Sequence, residues 1–219
     1  MPELLPASPA DRANATAFAG RVARWSAAGP IRLVADDGWV TMWAGTPFDV
    51  LVTRSVRGSL RPETVTVRAT DLLAGLAVST AQRVDPGRPV DGEWRARLPP
   101  PGDWVMVEEV PAARIDDLVR AGALAARRVT DEGHSPRHGA GGDAAVPPEL
   151  LDSRVLQISG GGQEVTVPLR MLFALSGMGF VADTATDVVR VRVTRTWLRL
   201  DARFGAVVRR RIASLPLLV

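Results

Sequence analysis

The sequence predicts an α+β protein in which an antiparallel sheet, built from consecutive hairpins, carries helices on one face. Hydrophobic residues make up 46% of the 219 residues, which is enough for a core. Short apolar runs are joined by turns rich in Gly and Asp, and amphipathic stretches follow the paired strands. Directly consecutive hairpins argue against a doubly wound parallel sheet, whose strands need helical crossovers between them.

The N-terminal part is predicted as a loose tail followed by one helix. Residues 1–10 hold three prolines and show little periodicity, which favours a tail. A helix is then predicted from Asp11 to the Gly-Pro pair that follows it. Within it, Phe18, Val22 and Trp25 are spaced by four and three residues and form one apolar stripe for the core.

A hairpin is predicted next. Residues 31–34 and 39–43 are two apolar runs, and Asp36-Asp37-Gly38 lies between them. Asp-Gly supplies the positive φ angles that a tight hairpin turn requires. We therefore interpret both aspartates as turn formers.

A unit of strand, turn, strand and helix then recurs three times. The alternating runs and the turn residues predict the unit each time, and the triple glycine 160–162 is interpreted as a hairpin turn. The three copies are residues 48–56, 64–68 and 71–82; residues 94–98, 104–110 and a helix from Pro111; and residues 155–159, 164–167 and a short helix to Ser176.

The domain organisation follows from composition. Residues 129–147 are rich in Gly, Ala and Asp and predict a flexible linker or a long exposed loop. This linker would separate a main α+β domain, residues 11–128, from a smaller α+β portion, residues 148–219. The smaller portion is basic, because ten of its residues are Arg and six are Asp or Glu, against 17 and 18 in residues 1–147.

The amino-acid composition excludes several classes of chemistry. The chain has no Lys, Cys or Tyr, so it has no P-loop lysine, Schiff-base lysine, thiolate nucleophile or cysteine-ligated metal. His134 and His138 are four residues apart, but Pro136 and nearby glycines disfavour the helix that a zinc motif would need. We predict no catalytic residue, no cofactor and no metal. The abundant Arg also fits a GC-rich genome, so its number alone does not indicate nucleic acid.

One candidate surface for nucleic acid or other anions lies near the C-terminus. Valines alternate with Arg190 and Arg192, which predicts a strand whose arginines share the face opposite the core. A second strand would add Trp197 and Arg199 to that face, with Arg195 in the connection. Arginines around an aromatic ring on a sheet can hold phosphates and stacked bases. The alternative is an ordinary solvated face.

A candidate protein contact is the apolar segment at the end of the sequence. It contains Leu215, Leu217 and Leu218, and we expect it to pack on its own domain or on a second chain.

The leading functional hypothesis is a non-catalytic intracellular binding protein that contacts a protein partner or forms a homo-oligomer. No apolar run approaches the ~20 residues of a spanning helix and no secretory signal is evident, which favours the cytoplasm without membrane contact. Nucleic-acid binding through the arginine face is the alternative. A carboxylate-based enzyme of unknown substrate is the second alternative.

Overall fold

The computed structural model of the chain describes residues 1–78, 83–132, 146–182, 184 and 186–211. It confirms the predicted fold class: α+β, with a large antiparallel sheet and several helices. The strands are β1 (Glu3–Pro6), β2 (Pro30–Asp36), β3 (Trp39–Gly45), β4 (Leu51–Arg61), β5 (Thr64–Arg68), β6 (Val105–Pro111), β7 (Arg154–Gly160), β8 (Gln163–Pro168), β9 (Val188–Val193), β10 (Trp197–Ala202) and β11 (Gly205–Arg210). The helices are α1 (Pro9–Trp25), α2 (Ala69–Val78), α3 (Ala112–Glu132), α4 (Pro148–Leu151) and α5 (Leu169–Gly177).

One long sheet organises the described part of the chain. Its strands follow the order β5-β2-β3-β4-β11-β10-β9-β6, while β1 pairs with the far end of β4, and β7 and β8 form a separate hairpin. All of these pairs are antiparallel. The predicted Asp-Gly turn joins β2 to β3, where Asp37 and Gly38 have φ angles of 41° and 75°.

The sheet consists of two halves that meet at one strand pair. The order strand, helix, three strands occurs as β1-α1-β2-β3-β4 and again as β8-α5-β9-β10-β11. The last strands of the two series pair with each other, with Val207 opposite Val52. The sheet therefore continues without interruption from one half to the other.

The helices lie on one face of this sheet and cover the main core. Helix α1 packs on α2, and α3 packs on α5. Gly122 lies at the α3–α5 contact, because a Cβ there would come within 2.6 Å of Leu169. Phe18 and Phe180 stack with their ring centroids 6.5 Å apart, which connects the two halves on the helical side.

Residues 88–104, which include one 3-10 turn at Asp91–Glu93, cross the other face of the sheet; we call this segment the strap. Its start is held at β5, where the Val90 amide donates to the Thr66 carbonyl at 2.8 Å. Trp94, Ala96 and Leu98 alternate inward along it and pack on a small apolar cluster of the sheet. The strap thus gives the outer face a second, smaller core.

Several sequence predictions need correction. Residues 3–6, predicted as part of a loose tail, form β1, because fully buried Leu4 anchors that strand. Helix α1 begins at Pro9, capped by Ser8, rather than near Asp11. Residues 94–98 alternate as a strand would but pair with no described strand.

The predicted division into domains remains a prediction. The last four residues of α3 fall inside the predicted linker, and residues 133–145 lie outside the described residues. None of the helices in the described ranges is long and apolar enough to cross a membrane.

Candidate functional site

A groove lies on the outer face where β4, β11 and the strap meet. Its floor is formed by Leu51, Trp197 and Val208, which belong with Trp43 to one apolar cluster and are each buried to at least nine-tenths. The cavity has a volume of about 450 Å³. Its lining also includes residues of the corner before β4, of the strap and of the end of β11: Gly45, Thr46, Asp49, Val50, Ala96, Arg97, Arg209 and Arg210. The groove combines an apolar floor with a rim in which arginines outnumber acids, which is chemistry suited to an apolar side chain flanked by carboxylates.

A second cavity of about 400 Å³ adjoins the first at the end of β11. It lies between that strand and the β7–β8 hairpin, and both cavities share Arg209 and Arg210. Arg209 is paired with core-facing Leu198 and Arg210 with Trp197, so their side chains point to opposite faces of the sheet.

A network of ion pairs fixes the helical side of this region. Arg170 on α5 is 8% exposed, and its Nε donates to Asp152 Oδ1 at 2.8 Å while Nη2 lies 2.7 Å from Oδ2. Its Nη1 donates to the Phe48 carbonyl at 2.7 Å, which ties α5 to the corner before β4. Arg209 Nη2 lies 3.3 Å from Asp152 Oδ1. The hydrogen bond from Arg170, with the nearby charges of Arg170 and Arg209, lowers the pKa of Asp152 despite its partial burial.

The predicted arginine face is present, with each strand arginine close to an acid. Arg190 donates to Glu109 at 2.9 Å, and Arg199 donates to Asp201 at 2.7 Å. Arg192 Nη1 lies 3.6 Å from Asp201 Oδ2. Three arginines thus share two carboxylates, so the face carries less net charge than its arginines alone indicate.

Trp197 lies on the predicted face, but the prediction that its ring is free to stack on a base is wrong. The residue is only 5% exposed, because the strap covers it together with the rest of the apolar cluster. Arg199 lies instead over the ring of Trp104, with Cζ 5.6 Å from the centroid. Arg195 is exposed in the β9–β10 connection, as predicted.

The other predicted candidates are not described. Leu215, Leu217 and Leu218 lie outside the described residues, as do His134 and His138. Within the described ranges, no three His, Asp or Glu side chains gather as metal ligands would.

Of the residues that line the groove, only Trp197 belongs to the surface predicted from the sequence. Arg97 in the strap and Asp49 before β4 come from distant segments, and no local spacing indicates that they meet at the end of β11. The apolar alternation of residues 94–98 is the one local signal for this part of the groove, and it predicts a strand.

Two family models match the chain. One, described as a domain of unknown function (DUF8185), matches residues 99–214, and another, also described as a domain of unknown function (DUF8010), matches residues 1–96. The two matches meet within the strap. No curated protein matches the sequence.

Solved structures with the same fold are bacterial sliding clamps. They include a putative DNA polymerase III beta subunit from Eubacterium rectale (TM-score 0.60, 10% identity, 98% of this chain covered). The DNA polymerase sliding clamp of Bacillus subtilis has a TM-score of 0.58 at 13% identity over 99% of this chain. The Caulobacter crescentus pol III beta structure has a TM-score of 0.55 at 14% identity over 98%. The chain spans 66% of the length of each of these proteins, and at such identities the similarity establishes the fold.

Proposed function

Because this chain belongs to the family described as a domain of unknown function (DUF8185), we propose its function from its own geometry: non-catalytic binding of a protein partner in the groove beneath the strap. The observation that carries the proposal is the groove itself, a cavity of about 450 Å³ with an apolar floor, bordered by Arg97 and Arg210. The fold, shared with sliding clamps, supports a binding role rather than a catalytic one.

The chemistry of the groove defines the partner. An apolar side chain in the groove would contact Leu51 and Val208, while carboxylates beside it would meet Arg97 and Arg210. We therefore expect a peptide segment with one or two large apolar residues next to Asp or Glu. A homo-oligomer that forms through Leu215, Leu217 and Leu218 is a separate proposal, because that segment has no Asp or Glu to meet Arg97 and Arg210.

Peptide selection tests this function and does not require the partner to be identified first. A displayed library of random peptides would be enriched on the immobilised chain, and the affinities of the enriched peptides measured by fluorescence anisotropy. We expect apolar and acidic residues to be enriched together, and Arg97→Glu/Arg210→Glu to weaken binding at least 10-fold.

The matched control is Arg195→Glu, an exposed arginine in the β9–β10 connection that does not line the groove. Binding that is unchanged in the double variant, or weakened equally by the control, would place the contact elsewhere and reject the proposal.

Nucleic-acid binding is the second proposed function. Its support is the fold shared with DNA polymerase III beta subunits, together with the arginine face of β9 and β10. The charge-reversed Arg190→Glu/Arg192→Glu variant should then weaken binding to labelled DNA and reduce its salt dependence. Unchanged binding by this variant would remove this face from consideration.

A further inference from the structure

Arg54 lies half-buried on the helical side of the sheet, where α1 passes the turn between β10 and β11. Its Nη2 donates to Asn14 Oδ1 at 2.6 Å, and its Cζ lies 5.8 Å from the centroid of the Phe204 ring. Among the described residues, no carboxylate comes within 4 Å of its guanidinium. Within the part of the chain that the structure describes, this arginine is therefore oriented by a neutral amide and an aromatic ring rather than by a counter-charge.

Two further arginines converge on the same place from other segments. Arg203 in the β10–β11 turn lies with its Cζ 5.9 Å from the centroid of the same Phe204 ring. Arg21 on α1 reaches the turn after α5, where a Cβ at Gly179 would come within 2.7 Å of its Nη2. Neither has a carboxylate within 4 Å in the described ranges. We call Arg21, Arg54 and Arg203 the arginine cluster.

The cluster differs electrostatically from the outer arginine face. Burial, and then the nearby charge of Arg21, lowers the pKa of Arg54. On the outer face, by contrast, Arg190 and Arg199 each donate to a carboxylate within 3 Å. A half-buried cation that lies beside like charges, with no acid near it among the described residues, is unfavourable in the unliganded protein, and a bound anion would remove that penalty.

We propose that the arginine cluster is a binding site for phosphate groups. Guanidinium groups bind phosphate through paired, charge-assisted hydrogen bonds. Three of them, held by a helix, a strand and a turn, can contact several oxygens at once. The proposal goes beyond the docking groove and does not depend on it.

The phosphates could belong to a nucleic-acid backbone or to a free polyphosphate. Arg203 and Phe204 are exposed, whereas Arg21 and Arg54 are half-buried, so the cluster opens to solvent on one side. Both ligands offer consecutive phosphates that can reach all three arginines.

The test uses the full chain with two probes. One is a fluorescein-labelled single-stranded oligothymidylate, followed by anisotropy at two salt concentrations. The other is inorganic tripolyphosphate, followed by the Tm of the protein and by competition with the oligonucleotide. For three backbone contacts at roughly 0.7 each, the logarithm of the association constant should fall with a slope of about 2 against the logarithm of salt concentration.

The variants separate the cluster from general charge. Arg21→Gln/Arg203→Gln removes two charges from the cluster, and Arg127→Gln/Arg128→Gln removes two charges from exposed positions on α3 that belong to neither proposed surface. We expect the first variant to weaken probe binding at least 10-fold and the second to weaken it less than 2-fold. Circular dichroism confirms that each variant is folded.

Each outcome decides the proposal. Cluster-dependent binding of the oligonucleotide, with displacement by tripolyphosphate, supports a nucleic-acid backbone; cluster-dependent binding of tripolyphosphate alone supports a free polyphosphate. Failure of both probes to bind the wild type overturns the phosphate site, as does an equal loss in both double variants. Loss only in the α3 control variant also overturns it.

A stability measurement gives an independent readout. Arg54→Met keeps most of the buried stem but removes the charge. Tripolyphosphate should raise the Tm of the wild type and have a smaller effect on this variant, because only binding to the folded protein is stabilising. An equal rise in both proteins would place the anion away from Arg54.

Discussion

Arg170 and Asp152 form a two-point ion pair: Nε lies 2.8 Å from Oδ1, and Nη2 lies 2.7 Å from Oδ2. The Arg170 side chain is 8% exposed and the Asp152 side chain 52%, so the cation is buried and the anion reaches water. The pair connects α5 to the segment before β7, and through the Phe48 carbonyl it also holds the corner that leads into β4.

Removal of the anion should destabilise the protein. In Asp152→Ala, the Arg170 guanidinium keeps its hydrogen bond to the Phe48 carbonyl but loses both of its contacts with the Asp152 carboxylate. We expect the free energy of unfolding to fall by about 2 kcal/mol, less than for a fully buried pair because Asp152 is partly solvated. Urea denaturation measures this change. Asp117→Ala, which breaks an exposed pair with Arg120 on α3, is the control and should change stability by about 0.5 kcal/mol or less.

The same pair predicts how stability depends on pH. The pKa of Asp152 is lowered in the folded protein, chiefly by the hydrogen bond from Arg170. The contribution of Asp152 to the free energy of unfolding is therefore complete above its unfolded-state pKa of about 3.9. It is lost as pH falls through the lower folded-state pKa. Urea midpoints between pH 6 and pH 2.5 should show a constant difference between wild type and Asp152→Asn above about pH 4.5, which narrows in acid. A difference that widens in acid would contradict this assignment.

Gly160 should not tolerate a side chain. A Cβ at this position would lie 2.0 Å from the backbone carbonyl oxygen of Val107, where the β7–β8 hairpin crosses β6. Gly160→Ala should cost about 3 kcal/mol or prevent folding, because a backbone atom cannot move aside as a flexible side chain can. Gly102→Ala is the control, since no atom lies within 4 Å of its Cβ position. Thermal unfolding compares the two, and similar Tm values for both variants would show that the hairpin sits further from β6.

The strap should protect its own arginines from trypsin. Arg95 and Arg97 are exposed, but Trp94, Ala96 and Leu98 between and beside them pack on the outer cluster. Leu98→Ala should loosen this packing and increase the rate of cleavage at Arg95 and Arg97 several-fold, because proteolysis follows local opening. Mass spectrometry of limited digests identifies the sites. Cleavage after Arg195, in the β9–β10 connection, is the internal reference and should keep its rate.

The sequence was sufficient for the local elements and insufficient for the contacts between them. The turn at Asp37 and Gly38 and the alternation of the valines in β9 were predictable, because they depend on backbone conformation and on side-chain period. The burial of Trp197 was not, because the residues that cover it come from the strap, about a hundred positions earlier.

The candidate sites show the same difference between local patterns, which the sequence predicts, and contacts between distant segments, which it does not. Arg190, Arg192 and Arg199 share a face as predicted, because alternation along neighbouring strands determines the face. The position of Asp201 follows from the same alternation, because it lies two residues after Arg199 on β10. Glu109 could not be predicted, because it comes from β6, which the topology places beside β9. The arginine cluster unites a helix, a strand and a turn, so local spacing carries no indication of it.

The pairing of β4 with β11 has a consequence for any attempt to divide the chain between the two family matches. A fragment of residues 1–97 would expose the edge of β4, and a fragment of residues 98–219 would expose the edge of β11. Exposed edges of this kind recruit other strands, so each fragment alone should be prone to aggregation. Co-expressed, the fragments would supply each other's missing neighbour, and complementation of two separately encoded halves would become the natural way to study either one.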